Sequence, residues 1–303
     1  MESIWRNSLG KTLVYLTLAL YGACLLARGQ AVSAALAEGV QVCLRVLVPS
    51  LFPFLVFSGM AAATGLMEEL GRGLDPVMGR LFRLPGCCGS IWLIGALGGY
   101  PLGVRATVDL YRAGGLDQKS ATRLLGFCAC CGPGFLLNTA GLAVFDSVKT
   151  GLFLLAIHWI VSLLCGFLLT RDLTLQHHYS TASQTFAEPI PAFTGAVRGA
   201  IRSCAVICGF FLFFRGLLAL LPAGTPVWVQ GFLEMSCGIT ALSGLPRDLP
   251  LAAAMLGWGG LSVHFQAMDL LGNTGLGTGY YWVGKLLHGA ASGLLCLIFM
   301  RFL

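Results

Sequence analysis

The sequence predicts an all-α polytopic membrane protein, built as an inverted repeat with two re-entrant helical hairpins and discontinuous helices. Three observations support this fold class: an apolar composition, glycine and proline breaks inside apolar segments, and a repeated pattern with opposite charge flanks. Of 303 residues, 56% are hydrophobic and 11% are charged, whereas a soluble domain carries about a quarter charged residues. One soluble core of this length could not bury so many apolar side chains, so the surrounding solvent is a bilayer.

The composition also excludes several classes of function. A soluble enzyme and a disordered chain do not fit it, and the net charge of +6 comes from basic residues scattered between apolar runs, so we expect no nucleic-acid partner. The chain has no Gly-x-Ser-x-Gly elbow and no His-Glu-x-x-His helix, so we expect no enzyme activity. The twelve cysteines have no histidine nearby at zinc-ligand spacing. We therefore expect no metal site and no cofactor.

The first predicted element is an N-terminal membrane helix within residues 1–30. Arg6 and Lys11 precede an apolar run over residues 12–27, a pattern shared with signal peptides. Ala23-Cys24 is a poor lipoprotein cleavage site, and more membrane segments follow. We expect an uncleaved helix with a cytoplasmic N-terminus.

Further apolar segments approach or exceed the roughly 20 residues that a spanning helix needs: residues 46–67, 124–145, 150–170, 203–221 and 280–300. A polar linker at residues 171–195, which contains the run from Gln176 to Thr181, divides them. The predicted organisation is a first repeat over residues 31–170, a cytoplasmic linker, and a second repeat over residues 196–303. The basic residues near the C-terminus place it in the cytoplasm too.

One apolar stretch, residues 84–104, does not fit a simple crossing because glycines and prolines interrupt it. Basic residues flank it on both sides, with Arg72, Arg80 and Arg83 before it and Arg105, Arg112, Lys119 and Arg123 after it. Basic residues mark the cytoplasmic side of a membrane. The segment is therefore predicted to enter and leave on that side, as a re-entrant hairpin with its tip at Gly98-Gly99-Tyr100-Pro101.

A second copy of this hairpin follows 161 residues later. Leu84-Pro85 recurs as Leu245-Pro246, and Gly98-Gly99 recurs as Gly259-Gly260. Around the second copy Arg247 is the single basic residue, so the positive-inside rule places that hairpin on the outer side. Two copies in opposite orientation form an inverted repeat, which is the construction of many secondary transporters.

Opposed hairpins bring helix ends to the middle of the membrane, where exposed amides and carbonyls can bind a polar solute. The helix after each hairpin is predicted to be discontinuous, at Cys131-Gly132-Pro133-Gly134 in the first copy and at residues 288–293 in the second. The candidate substrate-binding residues are Gly98, Gly99, Tyr100, Pro101, Arg105, Gly132, Pro133, Asn138, Gly259, Gly260, Ser262, His264 and Gln266.

Several ionisable residues can be interpreted in two ways. Arg105 and Gln266 occupy matching places in the repeat, and Arg105 is either a functional group or a topology signal at the interface. His264 either contacts substrate and senses pH or is a structural histidine. His158 is expected to be structural. Three carboxylates either couple transport to protons or sodium or lie on the surface: Glu234, Asp109 and Asp269.

The hairpin sequences resemble those of the YlbJ-type sporulation integral membrane proteins, in the nucleoside-recognition (Gate) group. The stretches that carry the resemblance are Gly98-Gly99-Tyr100-Pro101-Leu102-Gly103 with Arg105, residues 116–134, Leu233-Glu234-Met235, residues 259–266, and Lys285-Leu286-Leu287-His288. The resemblance implies two Gate-like repeats with the architecture of concentrative nucleoside transporters. It also implies a role in endospore formation, in moving dipicolinic acid across the forespore outer membrane. One departure is Cys128-Ala129-Cys130-Cys131, where the family pattern has serine and asparagine.

These arguments predict a multi-pass membrane transporter of a small polar, anionic solute such as dipicolinic acid. Dipicolinate is a flat aromatic dianion, so helix N-termini and Arg105 suit its carboxylates and Tyr100 suits its ring. Two alternatives stay open: a nucleoside transporter that uses Asn138, Gln266 and Ser262, and a non-transporting gating or scaffold subunit. Membrane lipid and the solute are the expected partners, while a coupling proton or sodium ion and a homo-oligomer are left open.

Overall fold

A computed structural model describes residues 8–174 and 187–302, and every regular element in these ranges is a helix. The first half contains α1 (Ser8–Ala27), α2 (Gly29–Val42), α3 (Val48–Thr64), α4 (Leu66–Val77), α5 (Cys87–Gly98), α6 (Leu102–Arg112), α7 (Gln118–Leu124), α8 (Phe135–Val144, wound as a π-helix) and α9 (Val148–Thr170). The second half contains α10 (Pro189–Leu220), α11 (Val227–Leu233), α12 (Met235–Thr240), α13 (Leu249–Trp258), α14 (Gly260–Leu271) and α15 (Gly279–Phe299).

Within residues 8–174 and 187–302, five helices are long and apolar enough to cross a membrane: Gly10–Ala27, Gly29–Thr64, Val148–Thr170, Pro189–Leu220 and Gly279–Phe299. A sixth apolar segment, Leu66–Phe82 with Cys87–Gly98, is bent by 93° at its break. Leucines along α1 are largely exposed, for example Leu26 at 89%, as lipid-facing side chains are. The chain is therefore an integral membrane protein with several spans.

At the tip of each predicted hairpin the chain has a break between two helices, and both of these breaks lie at the predicted glycines. In the first half α5 ends at Gly98 and α6 begins at Leu102, and these two helices pack side by side. In the second half α13 ends at Trp258, and Gly259 and Gly260 both have positive φ values, of 91° and 83°. Glycine adopts this conformation without the steric cost that a Cβ brings. After this break α14 packs on α10 and α6.

The predicted span over residues 124–145 is not one helix. Helix α7 ends at Leu124, where the predicted span begins. Residues 128–132 are non-helical, and the chain is helical again from Pro133 into α8. This break is where the sequence predicted a discontinuity, because Pro133 has no amide hydrogen to continue a preceding helix and instead begins the next helical stretch.

The matching prediction for the second copy is wrong. α15 runs unbroken through residues 288–293. Glycines there serve packing instead, since the Cβ position of Gly293 lies 3.1 Å from the Cβ of Ala254 on α13. Small residues allow such close approach between membrane helices, and α13 with α15 forms the most extensive helix pair of the fold.

Two helical regions extend beyond the predicted spans. α2 was not predicted, and a π-helical turn at Cys43–Leu47 joins it to α3 as one long helix. α10 begins at Pro189, so the last residues of the predicted linker are helical because proline is tolerated in a first helical turn. The polar run from Gln176 to Thr181 lies outside the described residues.

Candidate functional site

The tips of the two helix breaks meet at Tyr100. Its hydroxyl donates a hydrogen bond of 2.9 Å to the backbone carbonyl of Leu256 at the end of α13. Its ring lies against Gly259, whose Cβ position would be 3.3 Å from the ring carbon Cζ. Tyr100 is itself only 9% exposed. One tyrosine from the first tip therefore fills the space left by a glycine of the second.

Lys285 lies buried beside this contact. Its ammonium donates to the Tyr100 hydroxyl at 2.7 Å and to the Ala129 carbonyl at 3.2 Å, and the residue is 1% exposed. Within the described ranges no carboxylate comes within 4 Å of its Nζ. A buried ammonium is normally paired with an anion because desolvation of an unpaired charge is costly. Lys285 is therefore a cation held only by dipoles.

The non-helical segment at residues 128–132 forms one wall around Lys285. The Cys131 amide donates a 2.8 Å hydrogen bond to Nε2 of His158, and the Ser162 hydroxyl donates to the Phe127 carbonyl at 2.8 Å. Together with the Lys285–Ala129 bond, these contacts satisfy backbone groups that a helix would otherwise pair. The segment also approaches the first tip, since the Cβ position of Gly132 is 3.2 Å from the Cα of Gly99.

Two histidine rings, inclined to each other by 36°, are in contact behind this wall. The rings of His158 on α9 and His288 on α15 have centroids 4.3 Å apart, and both residues are 1% exposed. Nε2 of His288 lies 3.0 Å from the backbone carbonyl of His158, which can only accept, so this nitrogen donates. The pair connects α9 and α15 at the level of the non-helical segment.

His264 occupies a separate buried position on α14. Its Nδ1 is 2.8 Å from the Tyr281 hydroxyl, and its ring contacts those of Trp258 and Trp282, at 4.2 and 4.8 Å between centroids. Trp258 and His264 lie on either side of the second helix break. The histidine therefore supports the geometry of that break through aromatic packing.

Arg105 lies in a second polar area between α6, α10 and α14. Its Nε is 2.7 Å from the Asp109 carboxylate, and its guanidinium donates to the Ser203 hydroxyl at 2.7 Å. A cavity next to it is also lined by Pro101 and Gln266. The two residues that match in the predicted repeat therefore share one cavity. Unlike Lys285, Arg105 already has a carboxylate partner.

The carboxylate of Glu234 caps α12. It accepts from the Cys237 amide at 2.8 Å and from the Ser236 hydroxyl at 2.5 Å. Gly260 lies against the same turn, because its Cβ position would be 2.8 Å from the Met235 amide nitrogen. Glu234 therefore acts as a buried N-terminal cap of α12.

The structure brings some predicted residues together and separates others. Gly99, Tyr100, Gly132 and Gly259 lie at the junction of the two tips, where Gly132 contacts Gly99, Gly259 contacts Tyr100, and Tyr100 binds Lys285. Another subset borders the Arg105 cavity: Pro101, Gln266 and, through a 3.3 Å bond from Gln266, Ser262. The remaining ones lie elsewhere, with Gly98 against Leu102, Gly260 against α12, His264 against Tyr281, Pro133 before α8, and Asn138 exposed on α8.

The residues predicted to form the site did not include Lys285, His158, His288 or Tyr281. A signal for two of them was present, because Lys285 and His288 are ionisable residues inside the predicted span 280–300, where such residues tend to be functional. Within the described residues, no group of three or more His, Cys, Asp or Glu side chains could hold a metal ion.

The comparisons with known proteins agree with the predicted family. Residues 44–146 match the family model Gate, described as nucleoside recognition. The chain is 22% identical over 310 aligned residues to the sporulation integral membrane protein YlbJ of Bacillus subtilis (strain 168), and the alignment covers 87% of this chain and 76% of that protein. No solved structure matches this chain significantly. Tyr100, Ala129 and Gly132 all lie within the matched Gate residues.

Proposed function

We propose that this Gate-domain membrane protein transports a small anionic solute, and that the solute is dipicolinic acid during endospore formation. The observation that carries the proposal is Lys285, a buried cation without a carboxylate partner in the described structure, at the point where two helix breaks meet. The similarity to a sporulation integral membrane protein supports the biological setting.

The chemistry around Lys285 suits a carboxylate ligand. An ammonium group has three hydrogens, and the Tyr100 hydroxyl and the Ala129 carbonyl take up two of them. The third is available for a bound anion, whose attraction to Nζ is strengthened by the low polarity of a membrane interior. The Tyr100 ring has its centroid 4.5 Å from Nζ, so an aromatic dianion bound at Lys285 would contact this ring once its packing against Gly259 opens.

The two helix breaks would supply the moving parts. We propose that α5–α6 and α13–α14 are inverted copies, related as the two repeats of concentrative nucleoside transporters are. Their breaks at Gly99 and Gly259 lie at similar places in the two halves, and α6 packs on α14. Because the Tyr100–Leu256 hydrogen bond joins the tips, alternating access requires this bond to break and reform.

The orientation and location belong to the same proposal. Both termini would be cytoplasmic, and the first and second hairpins would enter the forespore outer membrane from opposite sides, with their tips meeting inside it. Thiol labelling of single cysteines placed at each tip, from one side of sealed vesicles at a time, tests the orientation. Labelling of both tips from the same side would contradict the inverted repeat.

Uptake into proteoliposomes tests the function. Dipicolinate, uridine and a plain dicarboxylate are supplied separately to the wild type, to Lys285→Met, and to Lys119→Met, which alters an exposed lysine on α7. The proposal predicts dipicolinate uptake by the wild type and by Lys119→Met but not by Lys285→Met. Uptake of uridine alone would identify a nucleoside transporter instead. No uptake of any solute would favour a gating or scaffold subunit.

A further inference from the structure

The hydrogen bond between His158 and the non-helical segment fixes the protonation state of this histidine. The Cys131 backbone amide can only donate, so Nε2 of His158 accepts the bond at 2.8 Å. A histidine that accepts at Nε2 carries its hydrogen on Nδ1 and is neutral. Nδ1 has no hydrogen-bond partner among the described residues.

Protonation of His158 is incompatible with this bond. An imidazolium carries hydrogen on both ring nitrogens and cannot accept. A proton on Nε2 would therefore face the Cys131 amide hydrogen, and the two groups would have to separate. Since Cys131 lies next to Gly132, which contacts Gly99 at the first tip, separation would act directly on the packing of that tip.

The groups that face His158 make its protonation depend on Lys285. From α15 the neighbouring groups are Lys285 and His288. The non-helical segment, whose Cys131 amide binds His158, also carries the thiols of Cys128, Cys130 and Cys131, which bond Thr107, Ser162 and the Gly132 carbonyl. α8 and α13, which also pack on α9, carry no titratable side chain. α7 and the π-helical turn Met78–Phe82 meet α9 nearer its C-terminal end, where Arg123 binds the Leu169 carbonyl.

Lys285 and His158 bind the same short segment, at the Ala129 carbonyl and the Cys131 amide. Two positive charges this close in a buried site repel each other strongly. A proton on His158 is therefore disfavoured while the Lys285 charge is uncompensated. An anion bound at Lys285 removes this repulsion, so anion and proton favour each other's binding.

We infer that His158 is the proton-binding residue of this transporter, and that it takes up a proton together with the anion at Lys285, which releases residues 128–132. The inference rests on the proposed function. It makes the protein an anion–proton cotransporter, in which the coupled ion is bound by a histidine instead of a carboxylate. The proton comes from water and is held on Nε2, the atom that accepts the Cys131 amide in the unloaded state.

Ligand binding as a function of pH tests the inference on the wild type alone. The dissociation constant of dipicolinate is measured between about pH 8 and pH 5, the range in which histidines change charge. Uptake of one proton with the anion predicts that affinity rises as pH falls, by at most about tenfold per pH unit. A wild-type affinity that does not change with pH overturns the inference and leaves the proposed function standing. Absence of binding at every pH overturns the proposed function.

The variants His158→Gln and His288→Gln assign the proton to one histidine. Glutamine can accept the Cys131 amide through its side-chain oxygen but does not titrate, so His158→Gln should bind dipicolinate with little dependence on pH. His288→Gln changes the histidine in contact with His158 and should keep the pH dependence. Loss of the pH dependence in His288→Gln, with its retention in His158→Gln, would overturn the assignment.

Amide hydrogen exchange provides a measurement without transport. In lipid nanodiscs with dipicolinate present, and after correction for the intrinsic effect of pH on exchange, residues 128–132 of the wild type should lose protection at low pH. His158→Gln should keep that protection. Equal loss of protection in both proteins would show that His158 does not control the segment.

Discussion

The ammonium of Lys285 and the hydroxyl of Tyr100 lie 2.7 Å apart, although 185 residues separate them in the sequence. The same hydroxyl donates to the Leu256 carbonyl, so one tyrosine connects the first tip to both α13 and α15. Because Lys285 also holds the Ala129 carbonyl, the cation ties together the segments that surround it. Any anion that binds Lys285 therefore acts on the junction of both helix breaks.

Replacing Lys285 with methionine should preserve or raise the stability of the ligand-free protein. The substitution removes a buried charge that has no carboxylate partner and keeps an apolar side chain of similar length, and the relief of the desolvation cost of that charge offsets the loss of the donor to the Ala129 carbonyl. Thermal unfolding in detergent, monitored with the Lys119→Met control, checks this expectation. A marked loss of stability would mean that Lys285 serves the fold and not a ligand.

Replacing Tyr100 with phenylalanine should destabilise the protein by about 1–3 kcal/mol. The change leaves the Leu256 carbonyl without its donor and removes one of the two acceptors of the Lys285 ammonium, and a buried polar group that loses its partner has this cost. Tyr15→Phe is the matched control, because that side chain is exposed on α1. Equal melting temperatures for the two variants would show that the tip contact contributes nothing.

The crossing between α15 and the segment after α7 depends on a glycine. A Cβ at Gly284 would overlap the carbonyl oxygen of Gly126, whereas a Cβ at Gly209 on α10 would meet no atom within 4 Å. We therefore expect Gly284→Ala to destabilise the protein by about 1–3 kcal/mol or more and Gly209→Ala to change stability little. Thermal unfolding of both variants measures the difference, which should vanish if α15 does not cross at this point.

Alanine substitutions at the tips cannot distinguish a transporter from a scaffold. Gly99 and Gly260 have positive φ values of 86° and 83°, and Gly260 also abuts the Met235 amide. Alanine would be strained at both positions whatever the protein does. The functional test therefore depends on Lys285 and not on these glycines.

Arg105 and Asp109 form a partly buried ion pair, with side chains 23% and 18% exposed. Replacing Arg105 with glutamine leaves the Asp109 carboxylate without its cation, so we expect a loss of about 1–3 kcal/mol. The double variant Arg105→Gln/Asp109→Asn should recover part of that loss. Thermal unfolding of the single and double variants checks the pairing, and no recovery would indicate that Arg105 acts independently of Asp109.

Stability at acidic pH should depend on Asp172, which follows α9. The hydrogen bond from Arg123 holds the pKa of this carboxyl below its ordinary value. A lowered pKa in the folded state contributes stability above the unfolded pKa, and that contribution is lost as the pH falls through the folded pKa. The melting temperature of Asp172→Asn should therefore fall less steeply than that of the wild type as the pH is lowered. Parallel pH profiles would contradict this.

Much of the helical arrangement could be predicted because it depends on local chemistry. Gly99 and Gly259 break their helices through positive φ values, and Gly132-Pro133 interrupts a span, so these features follow from residue type. The continuity of α15 could not be predicted in the same way. Its glycines led to the prediction of a helix break, but in the structure they allow close packing on α13. That contact is determined only by the tertiary structure.

The candidate site was predicted in part for the same reason. Tyr100 was selected because it lies at a tip, and its position was recoverable from the glycine pattern. Lys285 and His158 were not selected, because their roles depend on which side chains face them: no carboxylate faces Lys285 among the described residues, and the Cys131 amide faces His158. From the sequence, Arg105 was expected to bind the anion, but in the structure it already forms an ion pair with Asp109.

The most direct test of the central claim is the thermal stability of the purified protein with and without dipicolinate, in the wild type and in Lys285→Met. A ligand that binds only the folded state stabilises it by about 2.7 kcal/mol at a hundredfold excess over Kd. We predict such stabilisation for the wild type and for Lys119→Met, and none for Lys285→Met. Equal stabilisation of Lys285→Met would contradict the assignment of Lys285 as the anion-binding cation.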